Sequence, residues 1–112
     1  MPVIKHKGKM FKVNAEGYSV NFNFSTGELE TFADYVAEKA GIEELNDIHW
    51  AVIDELRLYY AKNGVAPMMR ILIKRLNDNG MDMTIRKLCI AFHDPIIVPC
   101  KMAGLPNSIG WA

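Results

Sequence analysis

A chain of 112 residues is one domain, with room for a single hydrophobic core and not for two. Half of its residues are apolar, 23% are charged and the formal net charge is zero, so composition gives no push toward nucleic acid or an anionic membrane. Two cysteines without a signal-peptide pattern point to a reducing compartment, the cytoplasm, and no apolar run approaches the roughly 20 residues of a membrane span.

The charges are unevenly spread. Residues 1–15 carry four lysines and no acid, residues 16–55 hold ten acids against Lys39 alone, and residues 57–87 hold seven Lys/Arg against Asp78 and Asp82. Solvated faces of differing sign on successive helices account for this pattern. A dipolar surface that steers docking is the functional alternative.

Val3-Ile4-Lys5-His6 and Met10-Phe11-Lys12-Val13 flank Lys7-Gly8-Lys9 and predict a small hairpin within residues 1–15, which must pack on something larger to persist. Asn14 to Tyr18 reads as a turn, and Asn21-Phe22-Asn23-Phe24 as an aromatic loop anchored to the core. A helical body follows over residues 25–104. Ser25-Thr26-Gly27-Glu28 has capping-box spacing, and Leu29, Phe32, Ala33, Val36, Ala37 and Ala40 then recur at helical period up to Gly41. Asn46 caps a second helix through Ile48, Val52, Ile53, Leu56 and Tyr60 to Asn63-Gly64. Ala66-Pro67 begins a third, with Met68, Ile71, Leu72 and Leu76 inward and Asn79-Gly80 closing it. Thr84 caps a fourth, with Ile85, Leu88, Cys89 and Phe92 inward, and Asp94-Pro95 ends it. Pro99 starts a last short helix carrying Cys100.

Gly104 ends that helix and Pro106 prevents its resumption, so residues 105–112 read as an extended C-terminal arm with a thiol at its root and Trp111 near its tip. Cys100 is the candidate nucleophile. A helix N-terminus and the charge of Lys101 would both favour its thiolate, and a thiolate attacks persulfide or disulfide sulfur. The plain alternative is a small buried residue under the arm. Cys89 reads as core. Cys89, His93 and Cys100 match no structural zinc spacing, so no metal and no cofactor is expected. Arg70 and Lys74, four apart on one helix face, form a basic pair or simply a solvated face. His49, near a helix start beside Trp50, suits capping or packing better than catalysis.

Several ordered segments carry a resemblance. Cys100-Lys101-Met102-Ala103-Gly104-Leu105-Pro106 followed by Gly110 resembles the arm of the DsrC/TusE family of sulfur-relay proteins, usually C-[RK]-x-A-G-L-P-K-P-T-G-C-V. Glu16-Gly17-Tyr18, His49-Trp50, Leu56-Arg57-x-Tyr59-Tyr60 and Ala66-Pro67-x-x-Arg70-x-Leu72-x-Lys74 resemble further segments of that family, so the likeness runs nearly end to end. Asn107, Ser108, Ile109 and Ala112 depart from the pattern, and Trp111 stands where the family has its sulfur-carrying penultimate cysteine.

The resemblance implies a mainly α fold, a small orthogonal helical bundle with an N-terminal hairpin. It also implies a carrier that docks its arm into protein partners of sulfur metabolism, either sulfite reductase subunits or a tRNA-thiolation relay. Cys100 would be the one thiol left for sulfur, with Lys101, Gly104, Leu105, Pro106, Gly110 and Trp111 serving the arm and its docking. Arg70 and Lys74 would lie beside the arm, able to hold the terminal carboxylate or a sulfur oxyanion. A homologue that docks without carrying sulfur is the alternative. A helix-turn-helix made of the third and fourth helices ranks last, because their connection from Asn77 to Met83 is long for that motif.

Overall fold

The computed structural model describes residues 2–109. Strands β1 (Val3–His6) and β2 (Lys9–Lys12) pair antiparallel around Lys7-Gly8, whose φ values of 46° and 81° are both positive, as a tight type I′ turn requires. The register sets Ile4 opposite Phe11. Phe11 is buried against Phe32 and Phe24, with ring centroids 5.2 and 5.8 Å away, and so ties the hairpin to the helices. The Asp34 carboxylate adds a polar tie, accepting from Lys7 Nζ at 2.7 Å and meeting His6 Nε2 at 2.8 Å. In the following turn, the Asn14 side chain accepts from the backbone N–H groups of Glu16 and Tyr18, both at 3.0 Å.

Helix α1 (Thr26–Ala40) starts where the sequence sets its capping box: Glu28 N–H donates to Ser25 Oγ and Ser25 N–H to Glu28 Oε1. Gly41 ends it in the left-handed region. Helix α2 (Asp47–Asn63) begins at Asn46, and His49 completes a reciprocal cap there. His49 Nδ1 accepts the Asn46 N–H at 3.0 Å, so Nε2 carries the proton and donates to the Ala91 carbonyl at 2.7 Å. The buried ring therefore caps α2 and pins it to the end of the fourth helix, as the capping and packing expectation held.

Helix α3 (Met69–Asp78) starts later than the expected Ala66-Pro67. Pro67 is buried and Met68 is still extended (ψ 154°), serving as the N-cap. The buried stripe is accordingly Met69, Leu72 and Leu76, with Met68 exposed and Ile71 half-buried. Glu55 on α2, buried, accepts from Arg75 Nε at 2.6 Å and Asn79 Nδ2 at 3.1 Å, so the charge it brings into the α2–α3 contact is paired.

Helix α4 (Ile85–Phe92) has Thr84 as its cap, as expected, but buries only half of the expected stripe. Leu88 and Phe92 face the core, whereas Ile85 and Cys89 are exposed. The helix is eight residues long and packs mainly on α2, which covers a single line of positions and leaves the flank carrying Cys89 open.

Helix α5 (Val98–Met102), with Pro99 in its first turn, packs on both α1 and α2 and so completes the core. The extended arm expected from residue 105 onward is corrected over its described part. Leu105 is fully buried, its N–H donates to the Cys100 carbonyl at 3.0 Å, and Ile109 is buried with its N–H on the Ile96 carbonyl at 3.2 Å. Burying two aliphatic side chains outweighs the solvation of an extended tail. Gly110 and Trp111, expected to hinge and tip the arm, lie outside the described residues.

Candidate functional site

Cys100 sits one residue after Pro99 in α5, between α1 and α2, and its residue surface is 0% exposed. Removal from water pushes its thiol up to about 12, with only the nearby Ile109 backbone N–H working the other way. The thiolate stabilisation expected from the helix N-terminus and Lys101 is therefore corrected. The helix is five residues long, and the Lys101 ammonium sits over the Tyr18 ring, its Nζ 5.2 Å from the centroid, without lowering the Cys100 thiol. Cys100 is thus a buried, protonated thiol, with the Leu105 N–H on its carbonyl and the Ile109 backbone beside its sulfur. Ser108 lies beside the Tyr18 phenol, whose own ionisation burial pushes upward. Cys89, expected in the core, is the accessible thiol.

The root of the tail is fixed by close packing. Gly104 has φ 73°, and a Cβ there would meet Phe24 Cε2 at 2.8 Å and Arg57 Nη1 at 3.3 Å, so conformation and space both demand glycine. Arg57 reaches across from α2: Nη1 donates to the Ala103 carbonyl and Nη2 to the Phe22 carbonyl, each at 2.7 Å. Its guanidinium also stacks over Phe22, 4.1 Å from the ring centroid. Burial lowers its affinity for the proton, with Asp54 opposing. One side chain thus holds the aromatic loop and the arm root together. The sequence showed Arg57 only as part of a family segment, because nothing in helical periodicity says that a basic residue will span to two remote carbonyls.

The basic pair is less concentrated than expected. Arg70 and Lys74 are exposed on α3, which packs on α2, and Lys74 Nζ is paired with Asp78 at 2.8 Å. Among the described residues, His6, Asp34 and Glu38 are the group close enough to share a cation. The Lys7 ammonium, 2.7 Å from Asp34, already occupies that corner.

A helical bundle with an N-terminal hairpin, a cysteine at the root of its C-terminal segment and a glycine-dependent turn behind that cysteine defines a small thiol protein with a foldable tail. The chain belongs to the DsrC-like family, whose model, described as "DsrC like protein", matches residues 5–110. It is 36% identical over 111 residues to the dissimilatory-type sulfite reductase subunit gamma of Nitratidesulfovibrio vulgaris, covering 98% of each chain. It is 28% identical over 112 residues to the sulfurtransferase TusE of Yersinia pestis, covering 96% of this chain and 97% of that one. Among solved structures, the oxidized gamma subunit of the dissimilatory sulfite reductase (DsrC) from Archaeoglobus fulgidus superposes with a TM-score of 0.80. That match has 28% identity and covers 99% of this chain and 100% of the other. Allochromatium vinosum DsrC gives 0.77 at 32% identity, covering 98% and 97%. The expected fold class is borne out.

Proposed function

We propose that this chain is a sulfur-relay protein of the DsrC/TusE type, serving protein partners of sulfur metabolism, with Cys100 as the sulfur-accepting thiol and residues 105–109 as its gate. The observation that carries the reading is a thiol at the position of the family's upstream arm cysteine, roofed by the chain's own tail. The relatives' names, a sulfite reductase subunit and a sulfurtransferase, support the class of partner. With the tail lifted, the Cys100 thiol regains water, loses its proton and attacks the outer sulfur of a donor persulfide. A Cys100 Sγ–S bond forms as the donor's S–S bond breaks, the donor leaves as a thiolate, and the exchange is redox-neutral. Delivery repeats the same step with the partner as acceptor. Docking of the tail into a partner is the event that would expose the sulfur.

Trp111 at the family's penultimate cysteine position favours a second reading, in which the chain docks as its relatives do and carries no sulfur. An indole offers area and one N–H donor but no nucleophile. A persulfide donor, a Cys89→Ser variant and intact mass spectrometry separate the two. The carrier reading expects at most one labile added sulfur, at Cys100, gained faster when the chain is cut after Pro106. Absence of uptake in both forms, with binding to a sulfur-relay partner retained, leaves the docking reading.

A further inference from the structure

We infer that the groove between α1 and α2 is a docking site for a cationic, amphipathic segment of a partner protein. A cleft of about 710 Å³ lies there, floored by Phe24, Leu29, Leu45 and Trp50. A shallower depression of about 500 Å³ shares Leu29, Asp54 and Arg57 with it and continues along α2 over Phe22, Leu58 and Ala61. Leu58 is 64% exposed in this continuation, an aliphatic side chain that the described residues leave largely uncovered.

The rim decides the chemistry of the occupant. Among the described residues, five carboxylates line the cleft, and Arg57 is its one cation. Its charge is felt by Asp54, but both of its terminal nitrogens donate to the Ala103 and Phe22 carbonyls, so it offsets one of the five acids and pairs directly with none among the described residues. Asp34 is held by Lys7 and His6. Among the described residues, no ion pair engages the other four, Glu30, Glu43, Glu44 and Asp54, and all four are exposed. An apolar floor under a net negative rim matches lysines or arginines along a segment's edge with aliphatic or aromatic residues beneath. A second copy is a poorer occupant, since of the five cations on its third and fourth helices Lys74, Arg75 and Lys87 are already paired with Asp78, Glu55 and Asp82, which leaves Arg70 and Arg86.

The groove also has a mechanical connection. Its walls include Phe24 and Arg57, the two side chains packed against Gly104. A segment seated there therefore rests on the support of the arm root. This inference deepens the relay reading by naming a partner surface, yet it needs no sulfur chemistry.

Trp50 provides the readout. In a Trp111→Phe chain it is the sole tryptophan, and a synthetic Lys/Leu amphipathic peptide of about four helical turns serves as the probe. The expected result is a saturable change in Trp50 emission, unchanged by Cys100→Ser. Binding should weaken about tenfold or more in the Glu43→Lys/Glu44→Lys variant and fall in high salt. Leu58→Ser should also weaken it. Both substitutions fall at exposed positions, and circular dichroism checks the fold. Four outcomes would overturn the proposal. These are a silent Trp50, equal binding by the double variant, equal binding of a Lys/Ser peptide of the same charge, and sedimentation showing a dimer closed through this groove. Persistence of peptide binding when persulfide uptake fails would separate this surface from the carrier chemistry.

Discussion

The two thiols of this chain lie on neighbouring short helices and in opposite settings. Cys89 is on a helix covered along one line only, and water reaches it. Cys100 is on a helix wedged between two others and roofed by the tail, and its proton is held up to a pH of about 12. The same functional group is thus available in one place and stored in the other, and the number of packed neighbours decides which. A surface thiol reacts with whatever arrives. A buried one reacts only as far as its cover allows, which is the contrast the proposed relay role would draw on.

The largest expected effect follows from that stored proton. Ionisation of Cys100 is disfavoured only in the folded chain, so its contribution to stability is complete below the ordinary thiol range. It is lost as pH rises toward about 12, a fall of about 4 kcal/mol in all. Thermal or urea unfolding between pH 7 and 10 should therefore show an alkaline slope that Cys100→Ala flattens. Tyr18, shifted in the same direction by burial, adds a further loss only above its ordinary value of 10, which Tyr18→Phe removes.

Gly104→Ala comes next. It puts a Cβ 2.8 Å from Phe24 at a φ of 73°, which overpacking and left-handed strain together make a loss of about 2–4 kcal/mol. The damage should be local to the arm root, so Cys100 gains exchange and alkylation while Cys89 does not change. Arg57→Lys removes the two-carbonyl fork while keeping the charge, with an expected loss of about 1–3 kcal/mol and a smaller gain in Cys100 labelling.

The smallest effect is a control on the comparison. The Lys7 ammonium, with His6, holds the Asp34 carboxyl below the usual carboxylate range, and the side chain is 43% exposed. Its contribution is present above the ordinary carboxylate pKa and disappears as pH falls through the lowered value. Asp34→Asn should cost under about 1 kcal/mol at neutral pH and nothing in strong acid, leaving Cys100 protection intact. Urea unfolding at pH 7 and pH 2 checks it.

Local signals in the sequence carried most of the fold. Ser25 with Glu28, Asn46, Gly41, Gly64 and Thr84 are residues whose side chains or backbone freedom end helices by themselves, and each does so. What depended on neighbours was harder to read. The stripe Ile85, Leu88, Cys89, Phe92 has helical period, but period states which residues share a face and not how widely that face is covered. Likewise Pro106 signals the end of a helix without saying that Leu105 and Ile109 will fold back. Cys100 was legible as a position in a family segment. Its environment was not, because burial there comes from α1 and α2, far away in the chain. The carboxylate rim of the groove was visible as an acidic stretch, while its apolar floor draws on the aromatic loop, α1 and α2 at once.

The central claim is that the tail seals Cys100, and timed alkylation of the native chain followed by peptide mass spectrometry tests it directly. At pH 7 a thiol held to about 12 is ionised to about one part in 10⁵, so labelling at Cys89 should run to completion while Cys100 stays protected. A chain cut after Pro106, which removes Ile109, should bring the Cys100 rate up toward that of Cys89. Equal rates at the two cysteines in the intact folded protein, or a Cys100 rate indifferent to removal of the tail, would contradict the account.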